Sequence, residues 1–291
     1  MSQLVVLGEG WLGAAVARVA RERMEVSTVD PPLHPVMAAR DDAAARALRD
    51  FVVDSGASAV INACGLLGGE EGSLQDANAE FPRWVCEAIG DLPVRFVHIG
   101  SASEYGDPGS ATPVREDAPL DPTGAYATSK TAGTQAVLAA REKGFDATVA
   151  RVFNIVGHPV PAASPIHQWL SDLRALPAGG GEVVVWWPPT TRDFVRIDDV
   201  AASLIDLAGP GERPGVVNVC SGVGLAYGDI VLALAERLGI DATLKSLDRP
   251  GIEAVIGDPG LLRELTGSVP PMDLQLIAST AVPGGDAAGD R

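Results

Sequence analysis

Leu4-Val5-Val6-Leu7-Gly8-Glu9-Gly10-Trp11-Leu12-Gly13 opens the chain with a short β-rich run, a glycine turn and the start of an alanine-rich helical stretch that reaches about Arg23. Strand, glycine turn and helix in that order form a phosphate-binding unit. Gly8 permits a tight turn, Gly10 lets a pyrophosphate approach the backbone, and Gly13 lets the helix pack closely on the strand. The free amides at the helix start, those of Trp11 and Leu12 among them, are the expected phosphate donors. A lone Gly-x-Gly-x-x-Gly is weak, but its place between a strand and a helix gives it meaning.

The next apolar run, Met24 to Val29, ends in Asp30. An acid at the end of the second strand, about 20 residues past the glycines, accepts hydrogen bonds from the adenosine ribose and repels a 2′-phosphate. The expected cofactor is therefore NAD(H) rather than NADP, although Asp30 also reads as a turn residue before Pro31-Pro32. Pro31 to Arg40 reads as a loop with a short third strand, and Asp41 to Asp54 as a helix. Ala57 to Ala63 is a buried strand whose small terminal residues, Ala63 included, suit a flat cofactor lying against the backbone. Cys64 reads as small filler, since no cationic neighbour is evident to activate it. Gly65 to Gly72 reads as a flexible loop. A helix from about Leu74 to Ile89 carries Asn78, which either bridges backbone groups or faces solvent.

Val94 to Ile99 is a further strand and leads into Gly100-Ser101-Ala102-Ser103-Glu104-Tyr105-Gly106. In an open parallel sheet ligands bind beyond the carboxyl ends of the strands, so this loop emerges where chemistry occurs. Ser101 can donate a hydrogen bond to a substrate carbonyl or alkoxide, with Ser103 assisting. Asp121-Pro122-Thr123-Gly124 supplies a turn and a helix start, and Ala125 to Ala140 is helical. On that helix Tyr126 and Lys130 share a face. A phenol of pKa about 10 is a poor acid or base at neutral pH, and a neighbouring ammonium draws that value down. Tyr-x-x-x-Lys is thus a proton-transfer device, though the pair alone reads equally as an aromatic anchor beside a solvated lysine. The serine loop tips the balance.

Composition excludes several classes. A formal charge of −16 argues against a nucleic-acid or anionic-membrane partner. An anionic substrate would need local cations. Cys64, Cys86 and Cys220 lie far apart with no Cys-x-x-Cys, which argues against a disulfide framework or a zinc site and fits a reducing, cytoplasmic compartment. No segment approaches the roughly 18 apolar residues of a membrane span. With 291 residues there is room for one large α/β domain and a smaller lobe.

Ala147 to Val152 reads as the sixth strand, and beyond Phe153-Asn154 the regular alternation weakens. Proline and glycine interrupt short elements from Pro159 onward, as expected of excursions into a substrate lobe. Trp186 and Trp187 either stack on a base or sugar or pack the lobe. Arg192-Asp193-Phe194 introduces another strand, Asp198 to Leu207 a helix, Val216 to Val219 a strand and Gly228 to Leu238 a helix. The expected fold is a Rossmann-type, doubly wound parallel α/β sheet over residues 1–155, joined again by elements near 190–220. Residues 156–282 form a small C-terminal α/β lobe, and the polar, glycine-rich 283–291 a disordered tail.

Together the Gly8/Gly10/Gly13 loop, Asp30, the Ser101–Gly106 loop, Tyr126/Lys130, Arg151-Val152-Phe153-Asn154, Arg192-Asp193-Phe194-Val195, Asn218 to Gly222 and Arg249-Pro250 with Gly257-Asp258 resemble the extended short-chain dehydrogenase/reductases. Within these they resemble the NAD-dependent epimerase/dehydratase family that acts on nucleotide sugars. The resemblance runs from Leu4 to about Leu276 and is most similar to the GDP-4-keto-6-deoxy-mannose reductases. It implies Tyr126 as acid/base, Lys130 as its pKa-lowering partner and ribose ligand, and Ser101 as orienter of the reacting oxygen. It implies Asn154 as a sugar or phosphate ligand, and Arg192 and Arg249 as cations for a nucleotide diphosphate. For both arginines the alternative is a surface ion pair. It also implies a homodimer. Two departures stand out. Leu7 occupies the place of the family's usual first glycine. Ala102 and Ser103 stand where the 4,6-dehydratases carry an Asp-Glu pair, so water elimination is not expected. Hydride chemistry at C4 remains, as a ketoreductase or a 4-epimerase. A protein acting on another small molecule and a non-catalytic dinucleotide sensor are the rival readings.

Overall fold

A computed structural model describes residues 3–32, 34, 37–247 and 251–284. The first half alternates strand and helix: β1 (Gln3–Leu7), α1 (Trp11–Ala20), β2 (Glu25–Val29), α2 (Asp42–Asp54), β3 (Ala59–Asn62), α3 (Glu71–Gln75), α4 (Phe81–Ile89), β4 (Arg95–Ser101), α5 (Gly124–Glu142) and β5 (Ala147–Val152). The second half runs β6 (Asn154–Val156), α6 (Pro165–Arg174), β7 (Gly181–Val185), β8 (Thr191–Arg196), α7 (Ile197–Ala208), β9 (Val216–Val219), β10 (Gly224–Ala226), α8 (Tyr227–Leu238), β11 (Ala242–Ser246), β12 (Ala254–Val255), α9 (Gly260–Thr266) and α10 (Leu274–Ala281).

The main sheet has the order β2-β1-β3-β4-β5-β9, with every pairing parallel. Its strands are buried on both faces, which is why β1, β3 and β5 read as nearly continuous apolar runs. Val5 and Leu7 pack with α2, α4 and α5 residues on one face. Leu4 and Val6 pack with α1 and α7 residues on the other. The strand order reverses between β1 and β3, where Leu7 and Asn62 are in register. The glycine turn and the Ala63–Gly65 segment therefore leave the sheet side by side, at the crevice where such folds bind ligands.

The C-terminal elements build a second core around Ile166, Trp169, Val185, Phe194 and Leu234. A small sheet, β10-β8-β12 with β6 also on β8, joins it to the main sheet, and β7 pairs with β11 in parallel. In between, α7 and β9 return to the main sheet.

Three expectations need correction. The segment before α2 holds no strand among the described residues, only a short 3₁₀ turn at Met37–Ala39. Ala147–Val152 is accordingly the fifth strand in the chain. The expected helix from Leu74 begins earlier, at Glu71, and includes a wider π-type turn at Asp76–Glu80. Asp41 caps α2 as its position suggests, accepting from the Ala43 and Ala44 amides at 3.0 and 2.9 Å. Among the described residues no helix is long and apolar enough to cross a membrane.

Candidate active site

The carboxyl ends of β1, β3, β4 and β5 and the lobe enclose a cleft of about 570 Å³, within the usual range for a small-molecule site. Gly10, Trp11, Leu12, Ala63, Ser101, Ser103, Tyr126, Lys130, Asn154 and Arg192 all line it.

At the sheet end, the glycines divide by cause. Gly8 has φ +95°, and a Cβ there would lie 2.9 Å from the Cys64 amide nitrogen. A Cβ on Gly13 would overlap the Gly8 carbonyl oxygen. Packing alone demands these two. A Cβ on Gly10 would meet nothing within 4 Å, so no protein contact explains that glycine, and its open side faces the cleft. Gly10 also caps α1 without a side chain, which leaves the helix's first amides to a ligand. A pyrophosphate fits this cradle. Asp30 follows β2 at the same sheet edge, close enough to add to the rise of the Cys64 thiol that burial chiefly causes. A thiol pushed up in this way is inert, in line with the reading of Cys64 as filler.

Tyr126 and Lys130 project from the first turns of α5, which packs on β4 and β5. Ser101 ends β4 and lines the cleft with Tyr126, close enough to act on its phenol. Ser103 donates to Ser101 through both its hydroxyl, at 2.8 Å, and its amide, at 3.2 Å. The Lys130 ammonium donates to the Ile99 carbonyl at the end of β4. Burial lowers its pKa to about 8, against a smaller upward pull from Glu104. The expectation that Lys130 draws the phenol down is not met. Burial pushes Tyr126 above its ordinary value; the nearby Ser101 hydroxyl pulls it back, and Glu104 adds to the rise. The physical reason is that the ammonium is engaged by a strand-end carbonyl and is itself desolvated.

The rest of the constellation was not singled out as functional from sequence. Asn78, at the π-type turn, bonds both the amide and the carbonyl of Leu66 at 2.9 Å and donates to Ser129 at 3.0 Å. It is a bridge, not a solvent-facing residue, and it fixes the β3 loop to α5 beside Lys130. Glu104 is fully buried and accepts from the Ser101 amide, at 2.8 Å, and from Thr134 Oγ1, at 2.9 Å. Arg151 Nε donates to its other oxygen at 3.0 Å. Ser101-x-x-Glu104 is a capping-box spacing, and that was the available signal.

On the lobe side, Asn154 Nδ2 donates to the Asp193 carbonyl at 2.8 Å. The buried Asp193 carboxylate gathers the Ser221, Gly222 and Gly257 amides, which locks β8 to the neighbouring loops. Arg192 is half-buried and donates only to the carbonyls of Thr191 and Ile252 among the described residues. Its guanidinium lies 5.8 Å from the Tyr227 ring centroid. It is not the surface ion pair of the alternative reading. Arg249 lies outside the described residues. Trp186 is 73 % exposed and does not line the cleft.

The chain resembles known proteins throughout this region. Over 197 residues it is 31% identical to the dTDP-6-deoxy-L-talose 4-dehydrogenase (NAD(P)(+)) of Kitasatospora kifunensis, covering 66% of this chain and 62% of that protein. Over 193 residues it is 27% identical to the GDP-6-deoxy-D-mannose reductase of Pseudomonas aeruginosa, covering 62% of each. The chain thus matches somewhat less than two thirds of the length of these relatives. Its fold superimposes on the Pseudomonas aeruginosa RMD complexed with NADPH with a TM-score of 0.81 at 22% identity, covering 97% of this chain and 98% of that one. It superimposes on the UDP-glucuronic acid 4-epimerase of Bacillus cereus, complexed with UDP-glucuronic acid and NAD, with a TM-score of 0.79 at 18% identity, covering 96% and 97%. The family model of the NAD dependent epimerase/dehydratase family matches residues 4–220. With three quarters of its length so matched and the glycine turn, serine loop and Tyr126/Lys130 pair meeting in one cleft, the chain belongs to the NAD-dependent epimerase/dehydratase family.

Proposed function

We propose that the protein is an NAD(H)-dependent reductase of nucleotide-diphosphate 4-keto sugars. The observation that carries this reading is the convergence, in one cleft, of Ser101, Tyr126 and Lys130 with the Arg192 guanidinium, which has no carboxylate within ion-pair distance among the described residues.

A nicotinamide dinucleotide, when bound, supplies the hydride. The Gly10 cradle with the Trp11 and Leu12 amides would hold its pyrophosphate, Asp30 its adenosine ribose, and Lys130 its nicotinamide ribose, with Ala63 at the flat wall. Ser101 donates a hydrogen bond to the C4 carbonyl oxygen, and Tyr126 delivers the proton to that oxygen as the carbon is reduced. A phenol held above its ordinary value by burial is protonated at neutral pH and so begins as the acid this direction needs. Arg192 would face the nucleotide diphosphate and supply locally the cation that a chain of net charge −16 otherwise lacks. Ser103 and Asn154 would complete the sugar pocket. Ala102 and Ser103 provide no carboxyl pair for water elimination. The two curated relatives described above carry the names of a 4-dehydrogenase and a reductase, in keeping with redox chemistry at the sugar.

The test is to release and identify any retained dinucleotide, then offer dTDP- and GDP-4-keto-6-deoxy sugars with NADH or NADPH. Stoichiometric oxidation of NADH with a 4-keto sugar is expected. Tightly retained NAD with sugar interconversion and no net NADH use would instead make the protein a 4-epimerase. Arg192→Ala should raise KM for the sugar nucleotide far more than it lowers kcat. An unchanged KM would remove the diphosphate from that position.

A further inference from the structure

Gly100 immediately precedes the catalytic-site serine, and no turn demands a glycine there: it lies inside β4, with φ in the ordinary range. A Cβ at that position would lie 2.8 Å from Glu104 Oε1, 2.8 Å from Val149 Cγ1 and 3.3 Å from Thr134 Oγ1. The missing side chain is therefore a notch, and a carboxylate occupies it. That carboxylate is fully buried and has both oxygens engaged. One oxygen takes the Ser101 amide and the Thr134 hydroxyl. The other takes Arg151 Nε, and Arg151 is itself 3 % exposed. Such an arrangement is costly to bury and is held only because every partner is present.

We infer that Glu104 is a positioning residue of the site: seated in the Gly100 notch, it fixes the Ser101 amide and holds a buried negative charge at the foot of the serine loop that turns the site toward proton donation. The inference rests on the reading of Tyr126 as the proton donor.

The surroundings support this direction. Facing the pair are Ser101, Glu104 and Tyr105 from the end of β4 and its loop, Arg151 from β5, Glu116 through Arg151 and Tyr105, and His98 behind Lys130. Among these charges Glu104 acts directly on both Tyr126 and Lys130, and it raises both. Arg151 spends its charge on Glu104 and Tyr105. His98 is held neutral, well below its ordinary value, by burial and then by Lys130, so it adds no competing cation.

The chain has only three tyrosines, Tyr105, Tyr126 and Tyr227, so tyrosinate formation in the cofactor-free protein can be followed by ultraviolet difference absorbance. Subtracting the titration of Tyr126→Phe isolates the Tyr126 step. Glu104→Gln keeps an acceptor for the Ser101 amide but drops the charge. It should move that step to lower pH by about one unit. A Tyr126 step that stays in place or moves upward, in a folded Glu104→Gln protein, would overturn the inference. A purely structural Glu104 would lower Tm and leave the step unmoved. Should the lone Arg151 prevent folding, Glu104→Gln/Arg151→Met removes both charges and should still move the step downward. Gly100→Ala, which displaces the carboxylate while retaining every charge, should move it the same way by less. If Gly100→Ala changes neither the step nor Tm, the notch does not place the carboxylate. None of these measurements needs a substrate, so an error in the sugar assignment would leave their outcome intact.

Discussion

Lys130 and Arg151 are both nearly fully buried, both feel the charge of Glu104, and are treated by the fold in opposite ways. Arg151 has a counter-ion and two further acceptors. It donates to Glu104 at 3.0 Å, to the Tyr105 hydroxyl at 3.2 Å and to the Glu116 carbonyl at 3.3 Å, and its guanidinium lies 4.8 Å from the Tyr105 ring centroid. Burial works against its charge, yet Glu104 and Tyr105 outweigh burial and raise its pKa above the ordinary value. Lys130 has the Ile99 carbonyl and a more distant Glu104, and burial wins, lowering it to about 8. An ammonium has three donors. A counter-ion completes the Arg151 charge, whereas Lys130 lines a cleft with donors left for a ligand.

Removing the incomplete charge should therefore damage function and relieve the fold. Lys130→Met is expected to lower turnover by a factor on the order of 10²–10⁴, the usual worth of a proton-transfer group. It should at the same time raise the Tm of the cofactor-free protein, because an under-compensated buried charge is exchanged for a side chain of similar length. Steady-state rates and a thermal melt check both. A lower Tm with activity retained would mean that Lys130 is the structural cation and that the contrast drawn here is inverted.

Removing the completed charge should do the reverse. Arg151→Met leaves Glu104 buried without its counter-ion and is expected to cost about 3–5 kcal/mol of stability, measured as the shift in a urea unfolding curve. The double variant Glu104→Met/Arg151→Met should recover most of that loss, since a buried pair replaced together by apolar groups costs little. If the double variant instead loses the sum of what Arg151→Met and Glu104→Met lose singly, the two residues do not act as a pair.

The difference between these cations also marks what sequence could and could not disclose. The phosphate-binding opening was legible because its signals are local: a four-residue apolar run, glycines at fixed offsets and an alanine-rich helix all fall within about twenty residues. Tyr126 and Lys130 were legible for the same reason, being one helical turn apart. Glu104 and Arg151 are 47 residues apart, and Asn78 and Ser129 are 51 apart. Nothing in either neighbourhood announces the other. The Glu104–Arg151 pairing follows from β4 and β5 lying side by side with Ser101 opposite Val152. The sequence expectation for the Tyr126 phenol failed on a similar point. Helical spacing brings Lys130 to the same face, but where its ammonium terminates depends on a carbonyl in another strand. The third strand expected before α2 does not occur among the described residues, where Met37–Ala39 forms a 3₁₀ turn instead.

The smallest expected effect is the most direct probe of the incomplete charge. Lys130 has a folded-state value of about 8, below the roughly 10.4 of an unfolded lysine. Between these values the unfolded chain binds more protons than the folded one, so stability contributed at this site rises with pH across the window and is depressed below it. For the cofactor-free protein, moving from pH 7.5 to 9.5 should recover about 2 kcal/mol relative to Lys130→Met. Taking the difference between the two proteins cancels titrations common to both, and the upper limit stays below the range in which the tyrosines ionise. The corresponding comparison for Arg151→Met should show no such gain, because a guanidinium remains charged throughout this window in both the folded and the unfolded chain. A wild-type stability that tracks Lys130→Met at both pH values would mean that the ammonium is already compensated in the cofactor-free fold. Lys130 would then stand with Arg151 as architecture.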